Sequence, residues 1–238
     1  MPDSKPAGPA VRIIVRTLGA AIALFLLLFG WRVASYYRAI SRGDIAALPQ
    51  FTSRLTRSVR DAPGSPLAID VTRGNHPTLG NAHAPLTVVL FADFECPYSK
   101  EAFLAARSLL SLDPRVRFIF RNFPLEEIHP NARSAAAAAH CAEAQGKFWP
   151  FHDKLFQNAP NLNPPDLRFY AEQIGLDRSR FESCLIDPTT QAAVAADYAD
   201  GVAAGVRGTP TFFFNGKKVE GAIPATILKQ LIEGFTKT

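Results

Sequence analysis

The chain has 238 residues and an ordinary apolar content, which allows one domain of about 150–180 residues with a sizeable core, plus a tail. Its net charge of +5 is unevenly spread, because residues 1–61 carry nine Lys/Arg against three Asp/Glu and the remainder is nearly neutral. A folded part without a basic surplus gives no support for a nucleic-acid partner.

Residues 18–31 form an uninterrupted apolar run, and basic residues precede it at Lys5, Arg12 and Arg16. This order is typical of a secretory signal or a signal-anchor. Counted over residues 13–34, the stretch reaches the ~20 residues that span a bilayer. No clean cleavage site follows, although Val33-Ala34-Ser35 is a passable one. We predict a retained inner-membrane anchor over residues 1–34, with a cleaved signal as the alternative. Both predict an exported, periplasmic domain.

Residues 35–65 are basic, and we interpret them as a solvated stalk or linker rather than a patch for anionic lipid headgroups. The turn-rich residues 61–66 end this stretch, so we expect the folded domain to span residues 66–236.

The chemistry centres on Cys96. The apolar and β-branched residues 86–91 predict a buried strand, and Pro97 suits the first turn of a helix that continues through residues 101–110. Cys96 would then lie where the strand gives way to the helix, close to free backbone N–H groups and the positive end of the helix dipole. This position favours thiolate over thiol, and we expect a reactive, exposed sulfur.

Further elements follow on both sides of this motif. Alternation at Val116, Phe118 and Phe120 predicts a second strand, parallel to the first in a βαβ unit. Residues 67–71 predict an edge strand. Helices are predicted at residues 131–143, 147–157, 164–174, 178–186 and 189–204. A strand at 212–214, an Asn215-Gly216 turn, a returning strand at 217–219 and a helix at 224–235 complete the domain.

The segment Phe91-x-Asp93-Phe94-x-Cys96-Pro97-Tyr98 resembles the active-site segment of DsbA-like proteins of the thioredoxin superfamily. Gly146-Lys147-Phe148-Trp149 and Gly175-Leu176-Asp177 resemble their helical domain. The resemblance implies an α/β thioredoxin fold with a helical insertion at about residues 129–205, preceded by the N-terminal transmembrane or signal helix. It also implies that Thr209-Pro210 is a cis-proline loop that lies opposite Cys96 and binds an extended client peptide.

One departure from the family pattern restricts the chemistry. The usual motif is Cys-Pro-x-Cys, and Ser99 takes the place of the second cysteine. The ordinary two-cysteine cycle is therefore closed to this site. Ser99 could cap the thiolate, could be a neutral replacement in a degenerate site, or could be an engineered change. Leu90 replaces a buried glutamate that handles protons in some relatives.

The two remaining cysteines, Cys141 and Cys184, lie in the predicted helical region. In an exported protein such cysteines commonly pair, and some DsbA relatives have a comparable disulfide. The alternatives are two free thiols, or a role for one of them in resolving a mixed disulfide of Cys96. His76 and His83 lie in a loop without a carboxylate or cysteine at ligand spacing, so no metal is expected, and no organic cofactor either.

Three functions remain open from the sequence. The first is an exported thiol–disulfide oxidoreductase that acts through Cys96 alone, by mixed disulfides with protein clients or glutathione, with Pro97, Tyr98 and Ser99 in the catalytic motif. The second is a glutathione transferase or isomerase of the kappa type, whose Ser-Pro-Tyr-Ser differs by one residue. The third is a redox-inactive chaperone or adaptor that binds unfolded peptide.

Overall fold

The computed structural model describes residues 9–41 and 69–236, which fall into two units on either side of residue 53. The first unit contributes one long helix, α1 (Pro9–Ser41). Within the described ranges, no helix is both long and apolar enough to span a membrane. The anchor predicted over residues 1–34 stays a prediction. Most of the predicted stalk, from residue 42 onward, lies outside the described ranges.

The second unit is built on a five-stranded sheet. Its strands are β1 (Thr78–Gly80), β2 (Leu86–Ala92), β3 (Val116–Asn122), β4 (Thr211–Phe214) and β5 (Lys217–Glu220). They lie in the order β1-β3-β2-β4-β5. β2 and β3 are parallel, and the other pairs are antiparallel. The βαβ unit predicted from the alternating residues is thus confirmed.

Seven helices lie in the described part of this unit, and the sequence explains where four of them begin. They are α2 (Pro97–Leu112), α3 (Ala132–Glu143), α4 (Phe148–Asn158), α5 (Pro164–Gln173), α6 (Arg178–Leu185), α7 (Pro188–Ala203) and α8 (Ala225–Thr236). Proline opens α2, α5 and α7, where a missing N–H costs no helical bond. Side chains of Asn163, Asp177 and Asp187 cap the starts of α5, α6 and α7. Helices α3 to α7 form the insertion between β3 and β4.

The predicted edge strand is wrong. The described part of residues 67–71 contains no strand, and the edge position is filled by β1, which pairs antiparallel with β3. Gly80 ends β1 with a φ of +84°, and a Cβ there would collide with the carbonyl oxygen of Val116. Glycine at this position therefore allows the backbones of β1 and β3 to approach each other closely. The Gly and Pro content of this segment argues against a strand when only the sequence is considered.

The core lies on both faces of the sheet, as the period of two in strands requires. Residues of one parity, among them Val88, Leu90 and Phe120, pack against α2, α8 and the helical insertion. Residues of the other parity, among them Phe91 and Ile119, pack against the segment that follows α7. The sheet thereby fixes the carboxyl end of β2, where Cys96 follows.

Candidate active site around Cys96

Cys96 is the N-cap residue of helix α2. It has extended backbone angles (φ −69°, ψ 119°), and Pro97 is the first helical residue, as the sequence predicts. β4 pairs with β2, with Thr211 opposite Phe91, so the loop before β4 reaches the turn after β2. The Thr209–Pro210 peptide bond in that loop is cis. The Cys96 thiol donates a hydrogen bond to the Thr209 carbonyl oxygen, with 3.3 Å between sulfur and oxygen.

The sulfur is less accessible than predicted. Only 4% of Cys96 is exposed, so the expectation of an exposed thiol is wrong, although the sulfur does face the proline loop. The strand order explains this burial, because β4 brings Thr209 directly over the start of α2. The neighbouring Pro97 is exposed and Tyr98 is 64% exposed, so these two residues form the outer surface beside a covered thiol.

Ser99 faces the interior rather than the sulfur. It is completely buried, and its hydroxyl oxygen accepts a hydrogen bond from the backbone N–H of Asp93, at 3.4 Å. Among the described residues, Ser99 makes no hydrogen bond to Cys96. The thiolate cap considered from the sequence is therefore not formed in this structure.

Asp93 is a site residue that the sequence analysis names only as part of the motif shared with DsbA-like proteins. Its side chain is buried, and one carboxylate oxygen accepts hydrogen bonds from Leu125 N–H and His129 Nδ1, both at 2.8 Å. The other oxygen accepts from Glu95 N–H at 2.8 Å. The Asp93 carbonyl accepts from Cys96 N–H at 3.2 Å. One residue thus links the Cys96 turn to the segment between β3 and α3.

Glu95 makes a second link to the same segment. Its carboxylate accepts hydrogen bonds from the backbone N–H and the side-chain amide of Asn131, at 2.6 and 2.9 Å. Asn131 is the residue that precedes α3, so Glu95 places its charge at the positive end of that helix. The carboxylates of Asp93 and Glu95, which both precede Cys96 in the chain, therefore accept hydrogen bonds from the segment between β3 and α3.

A cluster of aromatic rings lies behind the turn. Phe94 packs against Phe120 and Phe156, and the fully buried His152 lies among these rings with centroid distances of 4.7 to 5.5 Å. Burial lowers the pKa of His152 against the opposing effect of its hydrogen bond to Asp153. Its Nε2 atom has no hydrogen-bond partner. The lowered pKa favours the neutral imidazole, which packs α4 against the turn that carries Cys96.

The other two cysteines are joined. Cys141 on α3 and Cys184 on α6 form a disulfide with an S–S distance of 2.08 Å. Cys96 is the free cysteine of the described residues, and the whole sequence contains three. This pairing leaves neither Cys141 nor Cys184 free to resolve a mixed disulfide of Cys96 in this state.

A charged cleft of about 410 Å³ lies between β3, α3, α7 and the loop before β1. Arg121, 1% exposed, forms ion pairs with Asp197 at 2.8 Å and Asp200 at 2.7 Å. Arg73 also pairs with Asp200. Burial opposes ionisation of Asp200, but its hydrogen bonds to both arginines outweigh that effect and hold its pKa below the usual range.

Histidine residues do not form a metal site here. His76 lies in the cleft, 3.5 Å from Asp197, while His83 lies exposed in the loop before β2. His140 also lines the cleft, and its hydrogen bond to Glu143 raises its pKa. Within the described part of the chain, no group of three or more His, Cys, Asp or Glu side chains is arranged to hold a metal ion.

Comparison with known proteins agrees with this geometry. The family described as Thioredoxin matches residues 72–234. A thioredoxin-like oxidoreductase from Silicibacter pomeroyi is 28% identical, with a TM-score of 0.62 over 76% of this chain and 98% of that one. Oxidised BdbD from Bacillus subtilis is 26% identical, with a TM-score of 0.61 over 68% of this chain and 94% of that one.

Among curated proteins, the Na(+)/H(+) antiporter NhaA 3 of Salinispora tropica is 36% identical over 219 residues, which are 90% of this chain and 31% of the antiporter. The chain thus spans about a third of the length of the curated relatives that it matches. The family match covers well over half of the chain and includes both the Cys96 turn and the cis-proline loop. The chain therefore belongs to the thioredoxin family, and its fold is that of the DsbA-like thiol–disulfide oxidoreductases.

Proposed function

We propose that the protein is an extracytoplasmic thiol–disulfide oxidoreductase that acts through Cys96 alone. The observation that carries this proposal is the contact of the Cys96 thiol with the Thr209 carbonyl, beside cis-Pro210 and at the start of α2. The proposal includes that Cys96 exchanges with disulfides of protein clients or with glutathione, and that the protein acts in the periplasm.

The covered sulfur has a consequence for the reaction. The thiol must lose its proton before it attacks, and a thiolate cannot donate to the Thr209 carbonyl. That carbonyl then becomes free to accept a hydrogen bond from the backbone of an extended client, as in strand addition. Client binding and uncovering of the sulfur are thereby coupled.

The exchange then has two balanced steps. The Cys96 thiolate attacks one sulfur of a client disulfide, so a Cys96–client disulfide forms and the other client sulfur leaves with the electron pair as a thiolate. Next, a different cysteine thiolate of the client, or an external thiol such as glutathione, attacks the client sulfur of the mixed disulfide and releases the Cys96 thiolate. The first route isomerises the client without net redox change. The second reduces it at the expense of two glutathione molecules, which leave as glutathione disulfide.

The test is the recovery of scrambled ribonuclease in a glutathione buffer. We expect Cys96→Ser to lose the recovery completely, whereas a Cys141→Ala/Cys184→Ala double variant, which retains only Cys96, keeps it. Ser99→Cys should add net oxidation of reduced ribonuclease. Wild-type recovery by Cys96→Ser would refute the proposal. Compartment fractionation of a tagged full chain tests the proposed extracytoplasmic location.

The burial of Cys96 favours a second candidate, a peptide-holding protein without redox chemistry. This candidate predicts that Cys96→Ser suppresses aggregation of reduced lysozyme as well as the wild type does, with no ribonuclease recovery by either. The kappa-type transferase stays a prediction of the sequence, and conjugation of glutathione to a model electrophile would test it.

A further inference from the structure

The carboxylate of Asp93 is surrounded by donors that leave it little freedom. It accepts on both oxygens, from Leu125 and His129 on one side and from Glu95 on the other. Because a carboxylate only accepts, Nδ1 of His129 must carry the proton of this hydrogen bond. The side chain of Asp93 is fully enclosed, and that of His129 is mostly so. Hydrogen bonds between a carboxylate and N–H donors are stronger than those between neutral groups, and they fix the orientation of the side chain.

The backbone of the same residue contacts both Cys96 and the first turn of the helix that follows it. The Asp93 carbonyl accepts from Cys96 N–H directly. The Asp93 N–H donates to the hydroxyl of Ser99, which lies on the first turn of α2. Cys96 is therefore bracketed by two contacts of Asp93. The exchange steps described above require neither the Asp93 carboxylate nor His129, so their arrangement calls for another role.

We propose that Asp93 is a positioning residue for Cys96, oriented by His129, and that Ser99 belongs to this latch rather than to the redox chemistry. The latch comprises Asp93, His129, Ser99 and the backbone N–H groups of Glu95 and Leu125. The proposal rests on the proposed function in that Cys96 is taken as the nucleophile. It also gives Ser99 a defined task at the position of the missing second cysteine.

The latch acts through alignment. Disulfide exchange requires the attacking sulfur to approach along the axis of the bond that breaks, and misplacement by about 1 Å can slow an aligned reaction by about a hundredfold. The sulfur already contacts the loop that the client would occupy. Fixing Asp93 to the β3–α3 segment keeps the Cys96 turn in register with that loop while the client binds.

The test compares paired variants at two positions. In Asp93→Asn, the NH₂ group faces an N–H donor in either orientation of the amide, so a hydrogen bond is lost in both. His129→Leu removes the donor to Asp93, whereas His129→Asn retains an N–H donor near the position of Nδ1. Asp113→Asn is the matched control, because Asp113 binds Arg115 N–H at the other end of α2.

Amide hydrogen exchange gives a readout independent of activity. We expect Cys96 N–H to exchange about tenfold faster in Asp93→Asn and His129→Leu, as the loss of a charge-assisted bond implies, and within about twofold of wild type in His129→Asn and Asp113→Asn. The disulfide-exchange rate constant should fall about tenfold in the same two variants. Should Asp93→Asn fail to fold, the two His129 variants decide alone.

Two results would overturn the latch. One is a Cys96 amide that exchanges equally slowly in His129→Leu and wild type. The other is equal acceleration at Phe120 N–H in the sheet, which would indicate a general loss of stability. A wild-type protein that exchanges no disulfide would refute the proposed function instead, and the amide pattern would still decide the latch.

Discussion

Two buried polar clusters lie at the carboxyl ends of neighbouring strands, and they differ in what their charges contact. The latch follows β2 and is built from one carboxylate with N–H donors, most of them from the backbone. The arginine cluster, Arg121 with Asp197 and Asp200, joins β3 to α7 through side-chain ion pairs. The latch can therefore fix a turn, whereas the arginine cluster fixes a helix to the sheet. We expect the latch to control the rate of disulfide exchange and the arginine cluster to control the free energy of unfolding.

The largest effect should come from the arginine cluster. Arg121→Met removes the charge but keeps the stem, and it leaves two buried carboxylates without their shared partner. Breaking such a pair costs about 3–5 kcal/mol of unfolding free energy. Urea unfolding measures the loss, with Arg133→Met as the control, because Arg133 pairs with Glu126 at the surface. A loss below about 1 kcal/mol, or a lower exchange rate per folded molecule, would contradict the division between the clusters.

The disulfide between α3 and α6 should have the next largest effect. Replacing Cys141 and Cys184 by alanine removes a cross-link between residues 43 apart, for which about 2–4 kcal/mol is typical. Because α3 begins at the Asn131 contact of Glu95, this variant also tests whether the latch needs a stable insertion. We expect unfolding at lower urea with exchange by Cys96 unchanged. A disulfide-exchange rate that falls in proportion to the unfolding free energy would show instead that the latch needs a stable insertion.

The sequence predicts elements better than contacts, and this site illustrates the reason. The strand before Cys96 and the helix after it follow from local patterns, the proline loop follows from the resemblance to DsbA-like proteins, and the structure contains all three. The burial of Cys96 depends on β4 pairing with β2, which is separated from it by more than a hundred residues. The Asp93–His129 bond spans 36 residues, and no local signal distinguishes this histidine from His76 or His83. The only local indication is an acidic residue, Asp93, immediately before the Phe94-x-Cys96 turn.

The aromatic cluster behind the Cys96 turn and the arginine cluster should also lose stability in different pH ranges. Burial lowers the pKa of His152, so the unfolded chain takes up this proton more readily than the folded one, and stability falls as pH decreases below about 6.5. The pKa of Asp200 is lowered, so its contribution is present above about pH 4 and is lost below it. His140, whose pKa is raised, has the opposite sign and loses its contribution as pH rises above about 6.5.

The variant that separates these ranges is His152→Leu. Unfolding free energies measured at several pH values should show that the wild type loses stability relative to the variant as pH falls from about 6.5 to 5. His140→Gln is the control, because it should alter the profile above about pH 6.5 instead. A difference that does not change with pH between 5 and 6.5 would show that His152 does not stay neutral in the fold.

The smallest effect concerns the other side of Cys96, where the polar groups are less completely satisfied than in the latch. The Thr209 hydroxyl is buried without a hydrogen-bond partner, whereas the Thr211 hydroxyl donates to the Gly208 carbonyl at 2.7 Å. Thr209→Val keeps the shape and removes the unpaired group, so unfolding free energy should rise by up to about 1 kcal/mol. Thr211→Val is the matched control and should lower it by about 1 kcal/mol, because it leaves an acceptor unpaired. Urea unfolding of both variants decides, and equal losses would mean that the Thr209 hydroxyl has a partner in solution.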